Sequence, residues 1–149
     1  MNEYRTSIFR SIGLTSKYLG VFINEKMAEF GVDLTRNQYV LLKVLLEKEG
    51  STQNDLAFLT ERDKTSMARL VNAMELKGLL TKVTGSHDRR KRRIYLTEDG
   101  KKVLDKAIPL MQELELELIQ DFNQAEVQTT LNVLQRVQAK VSGNAPVLN

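Results

Sequence analysis

The stretch from Asp63 to Thr97 constrains this chain most, because a helix start, a short amphipathic helix, two alternating runs and a dense positive cluster follow one another there. The Asp63 carboxylate can accept hydrogen bonds from the free amides of a first helical turn, so a helix is expected to open with Lys64, Thr65 and Ser66. Leu70, Val71, Met74 and Leu76 recur at short spacings and are expected to form its apolar stripe, with Lys64, Thr65, Ala68, Arg69 and Asn72 falling elsewhere. Lys77 and Gly78 close it, a cation near the carbonyl end followed by a residue free to turn left-handed. From Leu79 to Thr84 and from Arg93 to Thr97, apolar and polar residues alternate with the period of a strand. Gly85, Ser86, His87, Asp88, Arg89, Arg90, Lys91 and Arg92 lie between them as a turn-forming, basic tip. A helix followed by a basic β-hairpin is expected.

Between Arg62 and Arg93 ten Lys or Arg stand against three acidic residues, a net +7 in a chain whose total is +3. Everything outside that stretch therefore sums to −4. Positive charge segregated in this way is what a polyanion-binding surface requires. A same-sign run also repels itself until a partner neutralises it.

Several function classes drop out on composition. The 149 residues suit one domain with an ordinary core, and 42% hydrophobic with 28% charged residues is a globular balance. No apolar run reaches bilayer length and the N-terminus lacks the apolar core of a secretory signal, so a cytoplasmic protein with no membrane partner is expected. With no cysteine, disulfides, thiolate metal sites and thiol redox sensing are excluded. The one histidine, His87, falls in the polar turn, where a solvated loop residue is the plain account. Without a second histidine or a glycine-rich phosphate loop, no catalytic residues, metal site or cofactor are expected.

Around the central stretch the chain reads as helices. Ile8, Ile12, Leu19, Phe22, Ile23, Met27 and Phe30 recur at helical spacing from about Asn2, and Gly31 follows the last of them. Thr35 and Gln38 form a capping box for a second, mostly apolar helix through Val40 to Leu46. Thr52 with Asp55 opens a short third helix carrying Leu56, Ala57 and Leu59; together with the helix at Asp63 it makes a helix-turn-helix. Thr97 caps a long helix whose apolar positions are Leu104, Ala107, Met111, Leu114, Leu118 and Phe122, with Pro109 inside it expected to kink it or remove one hydrogen bond. Asn123 and Glu126 open the last helix, which presents Val127, Leu131, Leu134, Val137 and Val141 and stops at Gly143, before a tail over 144–149. The long terminal helices have no lobe of their own to cover them, so assembly is the simplest account of their apolar faces.

Taken in order, Leu34, Thr35, Gln38, Tyr39, Leu56, Ala57, Asp63, Lys64, Ser66, Arg69, Met74, Lys77, Gly78 and Leu79 resemble the MarR family of winged helix-turn-helix transcriptional regulators. The resemblance continues through Asp88, Arg90, Ile94, Leu96, Thr97 and Gly100, a specific run for its length. It implies a mainly α fold with a small β-hairpin wing: a DNA-binding lobe over 34–97, dimerisation helices over 1–31 and 98–143, all within one winged-helix domain. It also implies a homodimer on palindromic double-stranded DNA, usually a repressor released by a ligand or by oxidation. Without cysteine, a small aromatic or anionic effector is the expected signal.

On that resemblance the helix at Asp63 enters the major groove. Thr65 and Ser66 then meet bases or phosphates, Arg69 reads a guanine or holds a phosphate, and Lys64 anchors a phosphate. At the wing, Arg90 matches the arginine that enters the minor groove and Asp88 the aspartate that orients it, while Arg89, Lys91 and Arg92 add backbone attraction. The family's ligand pocket would here draw on Tyr18, Phe22, Tyr39 and Met111, residues whose types and spacing serve equally as plain core. A winged helix can also be a protein- or RNA-interaction module, and the residues alone leave that alternative open.

Overall fold

The computed structural model describes residues 6–85, 87, 88 and 90–143. Arg89 of the basic tip, the first residues of the expected N-terminal helix and the tail over 144–149 lie outside the described residues. In chain order the elements are α1 (Ile8–Glu29), α2 (Arg36–Glu47), β1 (Ser51–Thr52), α3 (Gln53–Leu59), α4 (Lys64–Leu76), β2 (Leu80–Thr84), β3 (Arg92–Leu96), α5 (Glu98–Ile119) and α6 (Gln124–Val141). They form two compact units, one ending at Leu110 and the other beginning at Met111, so the boundary falls inside α5, just after Pro109.

Local chemistry explains where the helices begin. Thr35 accepts from the Gln38 amide while the Gln38 side chain accepts from the Thr35 amide. The same reciprocal pairing joins Thr52 to Asp55 and Asn123 to Glu126. Asp63 accepts from the Ser66 amide at 2.8 Å, and Thr97 accepts from the Gly100 amide at 3.0 Å. Each bond satisfies an amide that the helix itself leaves without a partner. The end of α4 is equally well defined: Gly78, at φ +73°, donates to the Glu75 carbonyl, and Leu79 donates to that of Met74. That is the Schellman arrangement, and a side chain at Gly78 would strain it.

The first unit packs α4 on α3 and β2, α3 on α2, and α2 on α1 and β3. At its centre Met27, Leu41, Leu42, Leu45, Leu56, Met67, Val71 and Met74 are fully enclosed. Arg36 joins α1 to α2, its amide bonded to Asn24 Oδ1 and its guanidinium to the Ser16 carbonyl, both at 2.8 Å. The expected hairpin is there, with Leu80 opposite Leu96 and Thr84 opposite Arg92. It belongs to a three-stranded antiparallel sheet ordered β1-β3-β2, however, since Ser51 and Thr52 pair with Ile94 and Arg93. Thr52, expected as a cap, both caps α3 and pairs in the sheet.

The apolar stripe of α4 differs from the one expected. Met67, Val71 and Met74 face the core, Leu70 is half-buried, and Leu76 is 90% exposed. At about 100° per residue, Leu76 lies roughly 200° round from Met74, whereas Met67 lies one helical repeat from it. The first part of α5 closes the unit with Leu104, Ala107 and Leu110 buried. In the second unit Leu114 is buried, Met111 is half-buried, Leu118 and Phe122 are exposed, and α6 buries no residue. The helix continues through Pro109 without a break.

Candidate nucleic-acid interface

The turn between α3 and α4 sets up the interface. Arg62 donates from its amide to the Ala57 carbonyl at 2.9 Å, and Glu61, at φ +53°, donates to that of Phe58. A tight, hydrogen-bonded corner thus presents the first turn of α4. With Met67, Val71 and Met74 inward, helical geometry points Thr65, Arg69, Asn72 and Leu76 outward, and all four are exposed. Beside this face runs an open groove of about 420 Å³ lined by Arg62, Asp63, Thr65, Ser66, Arg69, Leu70 and Ala73. Ser66 sits on its flank, and its hydroxyl accepts from the Arg62 guanidinium at 2.7 Å.

At the wing tip, Asp88 accepts from the Arg90 amide at 3.0 Å, and the Lys91 amide donates to the Asp88 carbonyl. The aspartate therefore shapes the turn through the backbone of Arg90. The Arg90 guanidinium has no partner among the described residues. His87 is exposed.

The basic cluster divides into two sets. Arg62 holds Ser66, Lys77 holds Asp33 and Gln38, Lys82 holds Asn72 at 2.7 Å beside Glu75, and Arg93 donates to the Gly50 carbonyl at 2.9 Å. Lys64, Arg69, Arg90, Lys91 and Arg92 are exposed, and their side chains make no hydrogen bond or ion pair among the described residues. An exposed cation without an internal partner is available to an external anion. The field also reaches Asp55: the Thr52 amide and hydroxyl hold its carboxyl below the usual range, and the charges of Arg93 and Lys91 add to this.

The MarR family model matches residues 32–91, which span α2 through the wing tip. A curated relative, the HTH-type transcriptional regulator YybA of Bacillus subtilis, is 32% identical over 96 residues, 64% of this chain and 63% of that protein. The crystal structure of the transcriptional regulator SlyA superposes with a TM-score of 0.83 at 29% identity, covering 92% of this chain and 95% of that one. The chain has the winged-helix fold of the MarR-type regulators. The transcriptional repressor CouR, in a structure bound to a 23-mer DNA duplex, shares the MarR-type fold with a TM-score of 0.84 at 21% identity, over 92% of this chain and 96% of that one.

In the MarR-type fold the helix in the place of α4 is called the recognition helix, and the hairpin in the place of β2–β3 the wing. The structure gathers Thr65 and Arg69 on one face of the recognition helix, with Ser66 on its flank, and places Lys91 and Arg92 beside Arg90 at the wing. Asn72, off the apolar stripe by its spacing, shares the outward face, and so does Leu76, whose apolar side chain reads as core in the sequence. Of the four residues proposed for an effector pocket, Tyr18 is 63% exposed on α1, Phe22 is half-buried beneath the Lys26 ammonium, and Tyr39 is half-buried on α2. Met111 begins the second unit.

Proposed function

We propose that this chain is a sequence-specific DNA-binding transcriptional repressor of the MarR family that binds an inverted-repeat operator as a homodimer. The observation that carries the reading is the free set of cations: Lys64 and Arg69 on the recognition helix, with Arg90, Lys91 and Arg92 on the wing. Two adjacent elements bearing unneutralised charge suit a duplex with a major groove for one and a minor groove for the other. CouR, which has this fold, is found on DNA. The open apolar face of α6 supports assembly, and a two-fold pair would set the recognition helices about one DNA turn, roughly 34 Å, apart. Acting on DNA, such a repressor works in the cytoplasm. The chain has no cysteine to oxidise, which favours release by a small aromatic or anionic effector.

Selection of bound duplexes from a random DNA pool at two salt concentrations tests the reading. Enrichment of an inverted repeat with half-sites one turn apart is the expected result. With about eight phosphates neutralised per dimer, log affinity should fall against log salt with a slope near −7. Sequence-blind binding that disappears with added salt would refute it, and a protein- or RNA-interaction module would take its place.

A further inference from the structure

We propose that Lys77 is a positioning residue: it clamps the far end of the recognition helix to the corner between α1 and α2 and thereby sets the angle at which Thr65 and Arg69 meet the bases. The inference rests on the DNA-binding reading above. Counted by charge, Lys77 belongs with the DNA contacts. Its surroundings say otherwise.

Lys77 is the C-cap residue of α4. Its ammonium donates to the Asp33 carbonyl oxygen at 2.9 Å and to Gln38 Oε1 at 3.3 Å, and it pairs with the Asp33 carboxylate at 3.1 Å. An ammonium has three donors, and three acceptors surround this one. Gln38 Oε1 also accepts from the Thr35 amide, so Lys77 is bonded into the capping box that starts α2. These partners lie 39 and 44 residues away in sequence, whereas the opposite end of α4 is fixed locally by the α3–α4 turn. A helix of 13 residues is a rod of about 18 Å, held at both ends. A hollow of about 460 Å³ lies beside the clamp, lined by Ala28, Val32, Asp33, Gln38 and Lys77 among others. Polar bonds beside that hollow add to the packing of Met74 in fixing the far end of the rod. Base reading tolerates only small displacements of its side chains.

The test measures affinity for the duplex that the parent protein enriches from a random pool and for a scrambled duplex, over a range of salt. The proteins are the parent, Lys77→Met, Lys77→Arg, Asp33→Asn and Lys64→Ala. Lys77→Met should lose about tenfold in the ratio of selected to scrambled affinity, the worth of one good base contact. Its salt slope should stay that of the parent. Lys64→Ala, removing a phosphate contact, should lower the slope by about 0.9 per phosphate while keeping the ratio. Lys77→Arg retains a cation with donors for the same acceptors and should keep the ratio within about threefold.

Asp33→Asn separates the two accounts by sign. It leaves Lys77 and the backbone acceptor in place but removes the paired carboxylate. A loosened clamp lowers the ratio; a Lys77 freed to meet phosphate raises affinity for both duplexes. Should Lys77→Met not fold, as circular dichroism would show, Asp33→Asn decides alone. An unchanged ratio in the variants, or a slope lowered in Lys77→Met as in Lys64→Ala, overturns the proposal. A parent that enriches no duplex refutes the DNA-binding reading itself and takes the clamp with it, a result distinct from failure of the variants alone.

Discussion

Arg90 and Arg69 are both exposed and unpaired among the described residues, yet they should fail differently when removed. Arg90 is held through its amide by Asp88, so its side chain contributes little to the fold. Arg90→Ala should weaken operator binding while leaving the thermal midpoint nearly unchanged; equal affinity for variant and parent would remove Arg90 from the interface. Arg69 lies on the outward face of α4, and Arg69→Ala should cost about 1–3 kcal/mol of discrimination at one operator position if it reads a base. A loss spread evenly over all sequences would make it a phosphate contact. Asp55 yields a prediction in pH. Its carboxyl is held below the ordinary value of 3.8, first by the Thr52 amide and then by the Thr52 hydroxyl. A depressed acid stabilises the fold above its unfolded value, and that contribution is lost as pH falls through the folded value. The midpoint of the parent should therefore drop more steeply than that of Asp55→Asn once pH falls below about 4; parallel curves would show that the cap does not titrate.

The elements depend on close approaches that substitutions can probe. A side chain at Gly100 would run into the Leu79 carbonyl oxygen, which already accepts from the Thr97 amide at 3.2 Å. The obstacle is backbone and cannot rotate aside, so Gly100→Ala should lower the thermal midpoint by the equivalent of about 1–3 kcal/mol. No change would mean that α5 starts further from β2. Most helix starts were legible because a cap is local chemistry: Thr35 with Gln38, Thr52 with Asp55, Asn123 with Glu126, and Asp63 with the first turn of α4. β1 was not, because two residues carry no period and Thr52 also serves a helix. Leu76 misled through its side chain, although its angular position, two residues beyond Met74, was already in the sequence. Charge marked the site as a whole. It did not separate the free cations from Lys77, Lys82 and Arg93, whose hydrogen-bond acceptors come from 10 to 44 residues away.

Large apolar side chains stand open on the described parts of α1 and α6. On α6, Leu131 is 48% and Val141 77% exposed, while Val127, Leu134 and Val137 are only half-buried. On α1, Phe9 is 83% exposed. Stripes of this kind mark interaction surfaces, and the homodimer proposed above would cover the stripe with a second copy of the chain. Leu131→Glu tests stripe and homodimer together. In a separated subunit the new carboxylate is solvated and costs little; inside an apolar interface it is a buried charge without a partner. The parent should sediment at twice the mass of one chain, and the variant at the mass of one, with its helical content unchanged. Binding to a full operator should weaken by about 10²-fold or more, because the second half-site is no longer engaged at high effective concentration, while binding to an isolated half-site stays as in the parent. A variant that remains dimeric would place the interface elsewhere. A parent that is monomeric yet still prefers an inverted repeat would mean that the DNA itself brings the two copies together.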